Sequence, residues 1–443
     1  MEGIDEAAND IENPCDLFVL SIRKELDSLP PLSPFRCIYR VPERLRHGND
    51  KAYTPQVVSI GPLHHGKQHL NAMEDHKKRY LQNFLYRNNK VSLEDYVEKI
   101  KAQEDKLRGC YGNAQHFKSS DKFVSIVLVD AAFVIELLLR YHFKELRNDN
   151  DWIFKKPWML TNIVPDMLLL GNQVPFFILE DLFDASKVRV KNSETERPSM
   201  IKLSYHFFKK VVGLQRSEDE LEWTEPPLHF VDFIRTLHVQ YLDTGTSEAG
   251  ELPCIPSVTK LHQAGVKFCP ESSNDKFRPE SSNDLFAIQF HNGTLKIPKL
   301  EIHDDTELIL RNLIAFEQCH CTDNYLSDYV FLLDKFVNTK RDVDLLVESE
   351  IVVNTLGDNN KVSTMINQLC KGIALDQRKF YFGVLAADLN NYCKKCRNRW
   401  LAYLSQNFFN SPWAWAAFSL FAAVTLILTV IQTVFAIISF CRQ

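Results

Sequence analysis

The chain has 443 residues, is 45% hydrophobic and 25% charged, and carries a formal net charge of −5. This is the composition of a folded protein, and the mildly acidic balance gives no electrostatic support for nucleic-acid binding. Eleven Cys without framework spacing suit a reducing compartment, and 30 Phe against 15 Gly fit a mainly α chain.

Residues 1–34 read as a flexible acidic leader. Met1-Glu-Gly-Ile-Asp-Glu has no apolar h-region, so it is not a secretory signal, and residues 17–26 have the pattern of a short helix. Residues 35–70 are irregular. Pro42, Pro55 and Pro62, with the run Val57-Val58, indicate extended segments. Asn71 with Glu74 reads as a capping box, opening a helix with Met73, Tyr80, Leu81, Phe84 and Leu85 on one face. Ser92 with Asp95 opens the next helix, and Gly109 is its expected stop.

Residues 121–143 form the second most apolar run of the chain. Asp130 and Glu136 would each cost about 2.5–3.5 kcal/mol near the centre of a membrane span, so the run reads as a buried soluble helix. A further helical pattern over 160–184 is broken at Asn172-Gln173-Val174 by Pro175. Residues 186–199 and 215–227 are polar connections, alternating with helices near 200–212 and 228–242. Ser257 to Gly265 reads as a short helix with a glycine cap.

Residues 270–277 are copied almost unchanged as 279–286, a local duplication in a surface loop. Residues 285–303 alternate around His291-Asn292-Gly293, the pattern of a β-hairpin. Helices are then expected over 306–319, 323–338, 341–355 ending at Gly357, 360–371, and 376–409.

From Trp413 to Phe440 there is no Asp, Glu, Lys or Arg. A span needs roughly 20 apolar residues, so this run is long enough for one transmembrane helix. Lys394, Lys395, Arg397 and Arg399 precede it closely, which with the missing signal peptide places the large domain in the cytosol. Asn292-Gly293-Thr294 matches a glycosylation sequon and points the other way, but Asn-Gly is equally a turn signal. Cys441 beside the membrane is a candidate for palmitoylation.

Chemistry-bearing motifs are few. Gly61-Pro-Leu-His-His-Gly66-Lys67 fits the Gly-x4-Gly-Lys of a phosphate-binding loop. Gln68 stands where the metal-binding hydroxyl should be, Pro62 removes one N–H, and no βαβ alternation surrounds it, so a structural turn is expected. Cys393-Lys-Lys-Cys396 lacks a second pair, and Cys319-His320-Cys321 is too tight for a tetrahedral site. His64 and His65 have no evident partners, and Asp304, Asp305 and Glu307 suit a helix start. No catalytic, cofactor-binding or metal-ligating residue is assigned.

Several stretches together carry a resemblance. Ile38-Tyr-Arg-Val-Pro-Glu-Arg-Leu-Arg46, Tyr53-Thr-Pro-Gln-Val-Val-Ser-Ile-Gly-Pro-Leu-His-His-Gly-Lys67, Met73-Glu-Asp-His-Lys-Lys-Arg-Tyr80, Asn172-Gln-Val-Pro-Phe-Phe177, Ala264-Gly-Val-Lys-Phe268, Arg311-Asn-Leu-Ile-Ala-Phe-Glu-Gln318 and the Leu356-Gly357 region resemble the plant family called domain of unknown function 247. The chain departs from that pattern at Gly171 (usually Glu), at Ala131-Ala132 (usually Gly-Cys), at Glu350 (usually Gly) and in the duplicated loop. The resemblance implies a plant source and no established enzymatic activity. An association of some grass members with self-incompatibility implies protein recognition at a membrane.

The expectation is therefore a mainly α, multi-helix soluble domain with a small β-hairpin, plus one C-terminal transmembrane helix. The organisation is 1–34 leader, 35–410 helical domain divisible into lobes 35–185 and 200–410, and 411–443 anchor and short tail. The expected function is a single-pass, plasma-membrane interaction or signalling component whose partners are the lipid bilayer and an unknown protein. Homo-oligomers through the anchor, or an enzyme with an unrecognised site, are the alternatives.

Overall fold

A 23-residue helix lies at the centre of the molecule. In the computed structural model, which describes residues 14–27, 33–88, 90–111, 119–184, 198–210, 213, 223, 225–240, 242, 252–271, 285–395 and 412–441, this helix is α6 (Ser120–His142). It is preceded by α1 (Pro14–Asp27), α2 (Glu43–Arg46), α3 (Glu74–Arg87), α4 (Leu93–Ala102) and α5 (Glu104–Cys110). It is followed by α7 (Trp152–Lys155), α8 (Pro157–Met167), α9 (Phe176–Leu182), α10 (Met200–Phe208), α11 (Phe230–Val239) and α12 (Val258–Gln263). Sixteen residues of α6 are buried, and α3, α4, α9 and α10 pack around it. A helix apolar on nearly every face belongs inside a large core, which is how the run at 121–143 is used.

The remainder mixes short strands with helices: β1 (Lys267–Pro270), β2 (Gln289–His291), β3 (Thr294–Ile297), β4 (Leu300–Ile302), α13 (Thr306–His320), α14 (Tyr325–Phe336), α15 (Lys340–Glu348), β5 (Val352–Asn354), α16 (Asn359–Leu369), α17 (Gly383–Lys394) and α18 (Pro412–Cys441). The β2–β3 hairpin is antiparallel, and both residues of its turn, Asn292 (φ 51°) and Gly293 (φ 80°), are left-handed as a type I′ turn requires. β1 adds to it in parallel through β3, and β4 pairs in parallel with β5. One continuous core runs from Cys37 to Leu389 and includes residues of both sheets.

The mainly α class, the hairpin and the break before Pro175 stand as expected. Ser92 and Asp95 form a full capping box. Four readings need correction. Asn71 does not cap a helix: Gln68–Met73 is a 3₁₀ turn, and α3 begins at Glu74 without a side-chain cap. Gly109 lies inside α5 instead of stopping it; a Cβ there would come within 2.3 Å of Ser33 Oγ, so it is small for packing. Residues 376–382 are not helical, and the rest of that expected helix beyond 395 lies outside the described residues.

The fourth correction is the helix expected over 341–355. It ends at Glu348 and gives way to β5. Glu350 sits at φ 59°, and a Schellman closure forms: Ile351 N–H donates to Leu346 O at 2.9 Å and Glu350 N–H to Val347 O at 3.0 Å. The same closure ends α12, with Gly265 at φ 88° in the equivalent place. Glu350 thus does a glycine's job with a Cβ attached, at a cost of roughly 1–2 kcal/mol. Residues 1–13, the copied loop from 272 to 284, most of the polar connections, and Cys396, Arg397 and Arg399 lie outside the described residues.

Candidate functional site: a basic cleft beside a buried extended segment

The stretch from Thr54 to Gly61 runs from the surface into the interior with no strand beside it among the described residues. Val58, Ser59, Ile60 and Gly61 are all buried. Buried N–H and C=O groups require partners, and without a sheet these must come from side chains. Asp166 of α8 accepts from Gln56, Val57 and Val58 N–H at 2.8, 2.7 and 2.9 Å. Asn172 accepts from Ile60 N–H at 2.8 Å and donates to Val58 O at 3.0 Å. Asp130 of α6 accepts from Gly61 N–H at 2.8 Å, and Lys77 of α3 donates to Ser59 O at 2.9 Å.

Lys77 and Asp130 also pair with each other at 2.6 Å, and Glu74 joins at 2.6 Å. Burial opposes the Lys77 charge, but Asp130 and Glu74 outweigh it and raise its pKa. Burial pushes the Asp130 carboxyl up to about 6 against the pull of Lys77 and Gly61 N–H, leaving the pair ionised at neutral pH. Gly61 (φ 75°) turns the segment away; a Cβ would fall 2.3 Å from Gln173 O. Gln173 in turn donates to Met167 O and Leu169 O and accepts from Phe230 N–H. The motif acids, amides and lysine are therefore spent on holding backbone.

The segment Gly61–Lys67 makes successive turns, not a phosphate cradle. Gly61 N–H is taken by Asp130, and His65 and Lys67 N–H groups bond back to Pro62 O and His64 O at 3.3 and 3.4 Å. Its side chains nonetheless reach a cleft of about 730 Å³, lined by Arg40, Val41, Glu43, Arg46, His47, Asp50, Leu63, His64 and Lys67. One wall is fixed by the bridge between Ile38 and Tyr111 and by α2, whose first turn is closed by Leu45 N–H to Pro42 O at 3.0 Å.

Arg46 bonds Asp50 at 2.6 Å and holds that carboxyl below its usual range. Arg40 and Lys67 have no ion-pair partner among the described residues. Burial, then Arg46 and Arg40, lower the Lys67 pKa. Burial drives His64 down to about 3, and Lys67, Arg40 and Arg46 add to the shift, so the ring is neutral. His64 is 7% exposed, and its Nδ1 has no hydrogen-bond partner among the described residues. Gly171 packs against it: a Cβ would lie 3.2 Å from His64 Nε2.

The other motifs do not converge. Glu307 bonds Arg311 at 2.8 Å, whereas Asp304 is exposed. His320 meets the Tyr39 hydroxyl at 3.1 Å, and burial raises the Cys319 thiol and carries Cys321 to about 12, so neither is a thiolate. Cys393 is half-buried and also raised by burial. Among the described residues no group of three or more His, Cys, Asp or Glu is placed to hold a metal. The cleft was not foreseen from the sequence. Its only local signal is Lys67 beside two histidines; Arg40 and Arg46 arrive through the fold.

Comparison with known proteins agrees with the resemblance in the motifs. The chain is 29% identical to the UPF0481 protein At3g47200 of Arabidopsis thaliana, over 92% of this chain and 87% of that one. It is 23% identical to the putative UPF0481 protein At3g02645 of the same plant, over 91% of each. No solved structure matches. The family model described as "Plant protein of unknown function" matches residues 38–429, and the chain belongs to that family, domain of unknown function 247.

Proposed function

We propose that this protein is a membrane-anchored recognition component: a helical domain, residues 35–410, tethered by residues 411–443 and facing the cytosol. The observation that carries the tether is α18. Ala416–Ile438 has mean hydropathy 2.4, is long and apolar enough to cross a membrane, and has no part of its most apolar stretch buried in the protein. Thr425, Thr429 and Thr433 return their hydroxyls to carbonyls one turn back, at 3.0, 2.6 and 2.6 Å, so these hydroxyls are satisfied within the helix. Recognition is supported by the use of the buried charges. Those around Lys77, Glu136 and Glu317 are engaged in structural pairs.

The test is alkaline extraction of membranes from cells expressing the full chain, followed by protease treatment of sealed vesicles. Retention in the pellet with a protected domain supports the reading. Release at high pH removes the tether, and digestion from outside reverses the orientation. A second reading, an enzyme, is favoured by one observation, the cleft with its neutral His64. Turnover lost in His64→Ala would promote it.

A further inference from the structure

We propose that the cleft is a binding site for a small phosphate-bearing molecule, contacted by Arg40 and Lys67 with His64 at its buried wall. Three cationic side chains line it, and among the described residues only Arg46 is ion-paired, to Asp50. Arg40 and Lys67 line the same cleft with no ion-pair partner among the described residues. Glu43 and Asp50 balance two of the three, so the lining keeps a net positive charge that an anion can complete. A guanidinium and an ammonium are the donors that phosphate oxygens take up.

His64 supplies a second and independent observation. A buried ring whose Nδ1 has no hydrogen-bond partner among the described residues is a costly arrangement in a cleft wall. The volume, about 730 Å³, is in the range of small-molecule sites and much larger than bare phosphate requires. Val41 and Leu63 offer apolar surface, and Glu43 offers a carboxylate acceptor for a hydroxyl. The fit is to a phosphate ester of a hydroxylated small molecule. A phospholipid headgroup shares that chemistry.

The experiment is calorimetric titration of the full chain in phosphatidylcholine nanodiscs with ribose 5-phosphate and with inorganic phosphate. Saturable binding is expected, tighter for the ester. Arg40→Ala and Lys67→Ala should each weaken it by about tenfold or more. Because neither side chain has an ion-pair partner among the described residues, their melting temperatures should match the parent. Lys101→Ala, which removes an exposed cation paired with Asp121 far along the chain, should leave affinity unchanged. No saturable heat with either probe, or equal affinity in the two cleft variants, overturns the site. Nanodiscs containing phosphatidic acid then separate the sources: competition with ribose 5-phosphate identifies a lipid headgroup, and unchanged affinity a soluble ester.

Discussion

Two regions of this protein solve the same backbone problem in opposite ways. The segment Thr54–Gly61 has no regular structure and is buried from Val58 to Gly61; α18 is regular throughout and exposed over Ala416–Ile438. The helix satisfies its own N–H and C=O groups and can be left to lipid. The segment cannot, so Asp166, Asn172, Asp130 and Lys77 are recruited from α8, the turn after it, α6 and α3. Self-sufficient backbone frees the side chains to be purely apolar. Dependent backbone requires buried charge elsewhere, and the recognisable motifs of this chain are the groups that meet that need.

The strongest way to break the contrast is to remove one buried partner. Lys77→Met leaves Asp130 and Glu74 without their cation, and breaking a buried pair costs about 3–5 kcal/mol. Thermal unfolding of the full chain in detergent should show a large fall in melting temperature, or no cooperative transition. An unchanged melt would mean that the segment does not depend on the pair. The mirror experiment charges the helix. Ile427→Asp should disfavour insertion by about 2.5–3.5 kcal/mol and release protein from membranes, while the domain's own melt stays put. A lower domain melt would show that α18 packs against protein.

A third test uses pH. Burial pushes the Asp328 carboxyl from 3.8 up to about 7, with Glu317 and Asp376 adding to the rise and Tyr381 N–H opposing it. Between those values the folded protein keeps a proton that the unfolded chain has released. This contribution to stability is therefore full below about pH 4 and is lost as pH rises through 7. Asp328→Asn should gain on the order of 2 kcal/mol at pH 8 and almost nothing at pH 4. Denaturant titrations at the two pH values measure it; an equal effect at both removes the assignment. The smallest effect expected is at the α15 end, where Glu350→Gly should stabilise by about 1 kcal/mol by relieving the left-handed Cβ.

Much of the fold was legible where one segment carries its own signal. The apolar run with Asp130 and Glu136 declared a buried helix because each acid is costly near the centre of a span. Ser92 with Asp95, and Asn-Gly between alternating stretches, worked for the same local reason. What failed was non-local. Val352 and Val353 fit the helical stripe preceding them, and only pairing with β4, about fifty positions earlier, makes them a strand. Glu350 gave no turn signal because glutamate rarely takes a positive φ. The cleft was invisible because Arg40, Arg46 and Lys67 are unremarkable singly. Their meaning comes from the Ile38–Tyr111 bridge and the turns at Gly61 and Gly66 that set them around one space.

The central claim is that an irregular segment is held as firmly as the core helix beside it. Amide hydrogen exchange on the full chain in nanodiscs measures this directly. The account predicts that Val57, Val58, Ile60 and Gly61 exchange as slowly as the middle of α6, far behind the exposed turn at Gly66. Exchange of those four amides at the rate of Gly66 would contradict it, and the buried side chains around them would need another explanation.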